Sequence, residues 1–354
     1  DPVVDIIRGW KARPREPDSI GLAAQVAAEK TLEGMIALSL RSKPRIFILD
    51  RKSQSTEGFG EMVDGIPQSW ITTDHESADF VIAGCFTREE SGIDLLRLPQ
   101  RPVNRPYVVW TLGLHLPRNC VRIGKCPYFA QLVKRGDFLM VGMDLRGYDL
   151  GNNTIEPQPG VTMAPPLGLG TPEPVEDVRP RYFLTFQGKN NRGLWGTSSV
   201  RSDLMKSFTG LKFCKNIIVR VVEPGRPFPP KPTYSELMNT SYVLVPRGHG
   251  RWNYRFSEVL RSCHIPVVMA DGLTLPFEEI IDYTGLVYAR PEAMAKRPME
   301  LLMSLPTDIG AAQAKRRALC KIYEEHFSTM ERRAMALFRS AVVFTAKKVA
   351  SLDI

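Results

Sequence analysis

The sequence predicts an α/β protein of two doubly wound domains facing each other across a cleft. Three observations predict it. The chain has 354 residues, about two domains' worth. Short apolar runs bounded by turn residues alternate with helical patterns along most of its length. A stretch at 155–180, "IEPQPGVTMAPPLGLGTPEPVEDVRP", carries seven prolines and several glycines and divides those runs into two sets.

Residues 19–42, "SIGLAAQVAAEKTLEGMIALSLRS", pattern as an amphipathic helix rich in good formers. The runs at 45–50, 78–84, 107–113 and 138–144 read as buried strands, because continuous apolar runs this short suit a sheet covered on both faces. The Pro/Gly-rich stretch is poor material for regular structure and reads as a linker or long crossover. Strand signals resume at 181–188, 216–222, 242–246, 265–269 and 285–289, with helical patterns at 198–208, 234–239 and 252–263. From about 308 to 350 the pattern is helical throughout. The expected domains are 1–154, a linker at 155–180, a second domain at 181–306 and a helical segment at 307–354 that packs back towards the first.

Composition narrows the partners. Hydrophobic residues make up 43%, enough for a sizeable core. The net charge of +9 points to an anionic partner, without separating nucleic acid, nucleotide phosphate, acidic glycan or lipid. No apolar run reaches the roughly 18 residues a bilayer span needs. The chain starts at Asp1 and not at Met, so an N-terminal anchor or signal is expected to lie outside it. Six cysteines are scattered. Cys120 and Cys126 either close a small loop or stay free thiols; their spacing does not choose. The triplets 152–154 and 239–241 are glycosylation sequons and count weakly towards a secretory route.

The chemistry concentrates in "SYVLVPRGHGRWNYRFSEVLRSCHIPVVM", 241–269. It reads as strand, turn, helix, strand, with Arg247, Gly248 and Arg251 in the turn. In open α/β sheets ligands sit at the carboxyl ends of strands. Glycine lets backbone approach closely, arginine supplies charge-assisted contacts, and a helix start offers N–H groups to phosphate. Arg255 and Glu258 stand three residues apart on one helix face. The carboxylate either accepts from a ribose diol or belongs to a solvated ion pair. Asp-x-Asp, the motif that holds a nucleotide-bridging metal, is absent, Asp74-His75-Glu76 coming closest, and so is the Gly-x-x-x-x-Gly-Lys-Ser/Thr loop. His75, His115, His249, His264 and His326 form no metal-spaced pair on one helix. The basic run at 314–326, "AKRRALCKIYEEH", reads as a solvated helix face.

These residues resemble a family, the exostosin-like glycosyltransferases, GT47. The carriers are "YSELMNTSYVLVPRG", then "RFSEVL", then "CHIPVVMADGLTLPFEEIIDY", with "RYFLTFQGK" and Arg201 upstream. The resemblance covers about 180–285, while the N-terminal half matches only loosely at "ESADFVIAG". It implies the GT-B fold, two Rossmann-like domains across a cleft, and inverting transfer of a sugar from a nucleotide sugar, usually a UDP-sugar, to a glycan or glycoprotein acceptor. The nucleotide sugar is a co-substrate, and neither a cofactor, a metal nor nucleic acid is implied.

Residue by residue, Arg247 with Gly248 falls near the donor diphosphate, Arg255 and Glu258 at the ribose, and Asp271 and Gly272 beside the sugar. Gly188 and Lys189 fall in the phosphate-side loop. There many relatives carry a basic residue directly after the lysine, while here Asn190 and Asn191 precede Arg192, the candidate to take its place. An inverting displacement needs a base, which the N-terminal domain would supply. His115 and Asp144 are the candidates, with Asp74 third. The expected location is the Golgi or another secretory lumen, on a type II membrane anchor outside this chain, with a soluble cytoplasmic protein as the alternative. The alternative function is a non-catalytic polyanion- or carbohydrate-binding protein.

Overall fold

The computed structural model describes Asp5, Arg8 and residues 30–37, 43–49, 63–85, 95–102, 104–111, 131–132, 134–142, 160–162, 180–190, 199–209, 215–248 and 253–351. The chain is a mixed α/β protein whose contacts divide it into two units. One comprises 1–163, 274–282 and 329–354; the other 164–273 and 283–328.

The first unit holds a five-stranded parallel sheet. Its strands are β1 (Ile46–Ile48), β2 (Phe80–Cys85), β3 (Tyr107–Thr111), β4 (Phe138–Gly142) and β5 (Gly160–Thr162), paired in that order. Four of the five match the apolar runs in the sequence. β5 does not: it lies inside the Pro/Gly-rich stretch, where three residues of edge strand leave no periodicity to read. Val81, Tyr107, Val109 and Phe138 are buried in one cluster. The helix Met330–Ser351 covers the sheet, its Phe338 ring 4.7 Å from that of Phe80. Buried Asp137 ties the strand ends, taking Arg135 Nη2 at 2.7 Å and the Arg101 amide at 3.0 Å.

The second unit also carries a parallel sheet, of β6 (Tyr182–Lys189), β7 (Ile217–Val222), β8 (Thr240–Pro246), β9 (Ile265–Met269) and β10 (Tyr288–Ala289). Their order is β10-β9-β8-β6-β7. From β6 the chain runs outward to β7, then returns to place β8 on the other side of β6. The strand order therefore reverses between β6 and β8, and at such a point the loops leaving the two strands part and open a crevice. Every residue of β9 is buried. The run 285–289 gives a strand of only two residues, because Gly285 takes a positive φ of 71° in a turn.

The trailing helical pattern is two helices, Ile309–His326 and Met330–Ser351, and the break assigns the first to the second unit and the other to the first. The basic face at 314–326 is not uniformly solvated. Arg316 is buried, and its Nε donates to the Cys263 carbonyl at 3.1 Å. Next to it Cys263 and Cys320 form a disulfide. Cys120 and Cys126 lie outside the described residues. Asn239 is a poor glycan acceptor: its Oδ1 takes the Arg181 amide, and Thr240 is fully buried at the start of β8. No helix among the described residues is long and apolar enough to cross a membrane.

Candidate nucleotide site

The carboxyl ends of β6 and β8 carry Gly188-Lys189 and Pro246-Arg247. Arg201, from the helix Val200–Thr209, bridges the two. Its Nη1 donates to the Lys189 carbonyl at 2.8 Å and its Nε to the Arg247 carbonyl at 3.0 Å. Asn253 ties the end of β8 to the start of the next helix. Its Nδ2 donates to the Pro246 carbonyl at 2.6 Å, and its Oδ1 accepts from the Arg255 amide at 2.8 Å. The helix Arg255–Arg261 starts there and stops at Cys263, whose φ of 55° is left-handed. It is shorter than the 252–263 pattern because the Asn253 side chain begins it and that turn ends it.

Between the strand ends lies an open cavity of about 430 Å³. Its walls include Gly188, Lys189, Arg201, Tyr234, Arg255 and Glu258. Arg255 Nη1 meets Glu258 Oε2 at 2.6 Å, and Arg255 Nη2 donates to the Gln187 carbonyl at 2.6 Å. The pair is not a solvated surface bridge: its side chains keep only 14% and 19% of their exposure. Phe186 underlies the site, with the Arg201 and Arg255 guanidiniums 5.8 and 6.0 Å from its ring centre. Gly188 must be small here, since a Cβ would stand 2.6 Å from the Phe186 ring.

Three cationic side chains, Lys189, Arg201 and Arg255, face one carboxylate. Burial, with the charge of Arg255 added, pushes the Arg201 guanidinium down to about 10. Burial also lowers Arg255, which Glu258 partly offsets. A buried excess of positive charge is relieved by an anion. Gln187 Oε1 and Arg255 Nε are buried without a hydrogen-bond partner among the described residues. The helix start contributes less than the sequence suggests. The amides of Arg255, Phe256 and Glu258 are taken by Asn253 Oδ1, the Asn253 carbonyl and the Tyr254 carbonyl. The cations that line the cavity are side chains.

The structure brings Gly188, Lys189, Arg201, Arg255 and Glu258 together. Arg247 and Asp271 form a neighbouring cluster instead. Arg247 Nη1 pairs with Glu292 Oε1 at 3.3 Å, and the same oxygen accepts the Asp271 amide at 3.0 Å. Asp271 Oδ1 accepts the Glu292 amide in return, also at 3.0 Å. Burial raises the Glu292 carboxyl, and the Arg247 charge opposes the rise. Gly248 lies just past Arg247 beyond the end of β8, and Gly272 turns the chain after Asp271 with a φ of 70°. Arg192, His115 and Asp144 lie outside the described residues. Asp74 caps its own turn: its Oδ1 accepts the Glu76 amide at 3.0 Å, and hydrogen bonding to Ser77 holds the carboxyl below its ordinary value.

Similarity to known proteins falls on this half of the chain. Residues 167–305 match the model of the exostosin GT47 domain. Over this segment the chain is exostosin-like, of the GT47 kind. An exostosin-1 homolog of Caenorhabditis elegans is 35% identical over 99 residues, covering 28% of this chain and 25% of that protein. Exostosin-1b of Danio rerio and exostosin-1 of Bos taurus are each 30% identical over 105 residues, covering 28% of this chain and 13% of theirs. The chain thus spans a quarter or less of the length of these relatives. The exostosin-like segment contains β6 to β10 and the whole cationic cavity.

Reading by sequence missed two contributors. Tyr234 carries a readable signal, the Thr233-x-x-Glu236 capping box that starts its helix. Glu292 carries none, because it reaches Arg247 only through the return of the chain after β10.

Proposed function

We propose that this chain is an inverting glycosyltransferase of the GT-B type, moving a sugar from a UDP-sugar to a glycan or glycoprotein acceptor. The observation that carries the reading is the cavity at the strand-order reversal, with three cations and one oriented carboxylate. Lys189 and Arg201 suit the diphosphate. Glu258 suits the ribose diol. Phe228 and Tyr254 add aromatic surface for a base.

Inverting transfer forms one bond from the acceptor oxygen to the anomeric carbon as the bond to the diphosphate breaks. The acceptor proton passes to a base on the opposite side, for which His115 and Asp144 are the candidates. The leaving diphosphate gains charge as the bond breaks, and the fixed cations stabilise it there. Because side chains supply that charge, turnover is expected without a divalent metal. The secretory lumen, with a membrane anchor outside this chain, goes with this reading. The clustering of charge around one cavity favours an enzyme over a polyanion binder, which needs charge spread along a groove.

The test is a panel of nucleotide sugars offered with oligosaccharide acceptors, scored by nucleotide released, with and without excess chelator. Release with one UDP-sugar that survives chelator supports the reading. No release with any donor, together with tight binding of an anionic polysaccharide, replaces it with the binding protein.

A further inference from the structure

We propose that Tyr234 is the positioning residue for the carboxylate that recognises the sugar diol of the nucleotide, an inference that rests on the donor-site reading above. Glu258 Oε2 is held from two directions. The Tyr234 hydroxyl donates to it at 2.8 Å and Arg255 Nη1 at 2.6 Å. Among the described residues nothing donates to Oε1. A carboxylate saturated on one oxygen is fixed in rotation, and its other oxygen keeps full capacity to accept. A vicinal diol on a bound nucleotide supplies the matching O–H donors.

Tyr234 touches both members of the pair. Its ring lies beneath the Arg255 guanidinium, 4.6 Å from the centre to the cation. It comes from a separate element, the first residue of the helix Tyr234–Leu237, 24 residues before Glu258. That helix has little freedom. Thr233 Oγ1 accepts the Glu236 amide, Glu236 Oε2 accepts the Thr233 amide, and Leu237 is buried. Just upstream, Arg220 grips the carbonyls of Pro232 and Lys231 at 2.8 and 2.5 Å. The phenol is thus aimed before any ligand arrives, and the preorganised carboxylate avoids an ordering cost on binding.

Tyr234→Phe removes one hydrogen bond and keeps the ring under Arg255, so the fold should hold; thermal melts check that it does. Calorimetry with UDP and with 2′,3′-dideoxyuridine diphosphate reads the effect. The natural protein should prefer UDP by about tenfold or more, as expected for hydrogen bonds to a charged group. Tyr234→Phe should lower UDP affinity by about threefold to tenfold and leave the dideoxy analogue unchanged. In a Glu258→Gln background the same change should have no further effect. An unchanged preference for UDP, or equal losses for both ligands, overturns the positioning role alone. Failure of the natural protein to bind UDP overturns the donor-site reading and this inference with it.

Discussion

Arg255 and Glu258, one helical turn apart, are joined at 2.6 Å while the second Arg255 nitrogen holds the Gln187 carbonyl at the end of β6. The pair therefore links the helix to the neighbouring strand. With both side chains largely buried, its energetics differ from those of an exposed bridge. Removing either partner leaves the other as an uncompensated charge in the cavity wall.

Lys189 is exposed at the carboxyl end of β6 and is the cation best placed to reach a ligand phosphate. Lys189→Ala should weaken UDP binding by about tenfold, the worth of one charge-assisted contact. Uridine, which lacks phosphate, should bind both proteins alike. Competition binding with the two ligands separates phosphate recognition from base and ribose recognition.

Gly188→Ala places a Cβ 2.6 Å from the Phe186 ring, which is itself buried. The ring must shift beneath Arg201 and Arg255. Overpacking of this kind costs about 1–3 kcal/mol. A urea titration should show the unfolding free energy falling by that amount, with a lower midpoint at unchanged slope, and UDP affinity should fall with it. A larger residue tolerated at full stability would show that Phe186 has room to move.

Two buried groups give opposite pH dependences. Burial, with the nearby Arg316 charge added, pushes His264 from 6.5 down to about 3. Stability from keeping it neutral is whole above pH 6.5 and is lost as the pH falls towards 3. Burial pushes Glu279 from 4.5 up to about 7, with Glu278 raising it further and Ser340 and Lys347 opposing. Its contribution is whole below pH 4.5 and is lost as the pH rises through 7. Melts across pH should show Glu279→Gln gaining stability over the natural protein at pH 8 but not at pH 4. His264→Leu should flatten the acid limb only.

Much of this was legible in the sequence, for a physical reason. Buried parallel strands such as 107–111 and 265–269 are continuous apolar runs, and that signal survives without tertiary context. The Arg255–Glu258 spacing likewise reports a shared helix face. Features made by chain return do not announce themselves. Tyr234 meets Glu258 only because β8 crosses back beside β6. Glu292 meets Arg247 after a further strand. β5 gains its identity from pairing with β4, since its three residues have no pattern of their own.

The Cys263–Cys320 disulfide belongs to the same class, because a separation of 57 residues follows no spacing rule. It joins the end of the helix Arg255–Arg261 to the helix Ile309–His326 and so braces the back of the candidate site. Closing a loop of this length is worth about 2–4 kcal/mol. Cys320→Ser should lower the thermal midpoint accordingly, and reductant should do the same to the natural protein but not to the variant.

The central claim is that the cavity at the β6–β8 reversal binds a nucleotide through Glu258. Titration calorimetry of UDP against the natural protein and Glu258→Ala tests it most directly. The account predicts one UDP site, with affinity falling by about tenfold to a hundredfold in the variant while its melt stays cooperative. UDP binding of equal strength in a folded Glu258→Ala protein, or none in the natural protein, would contradict it.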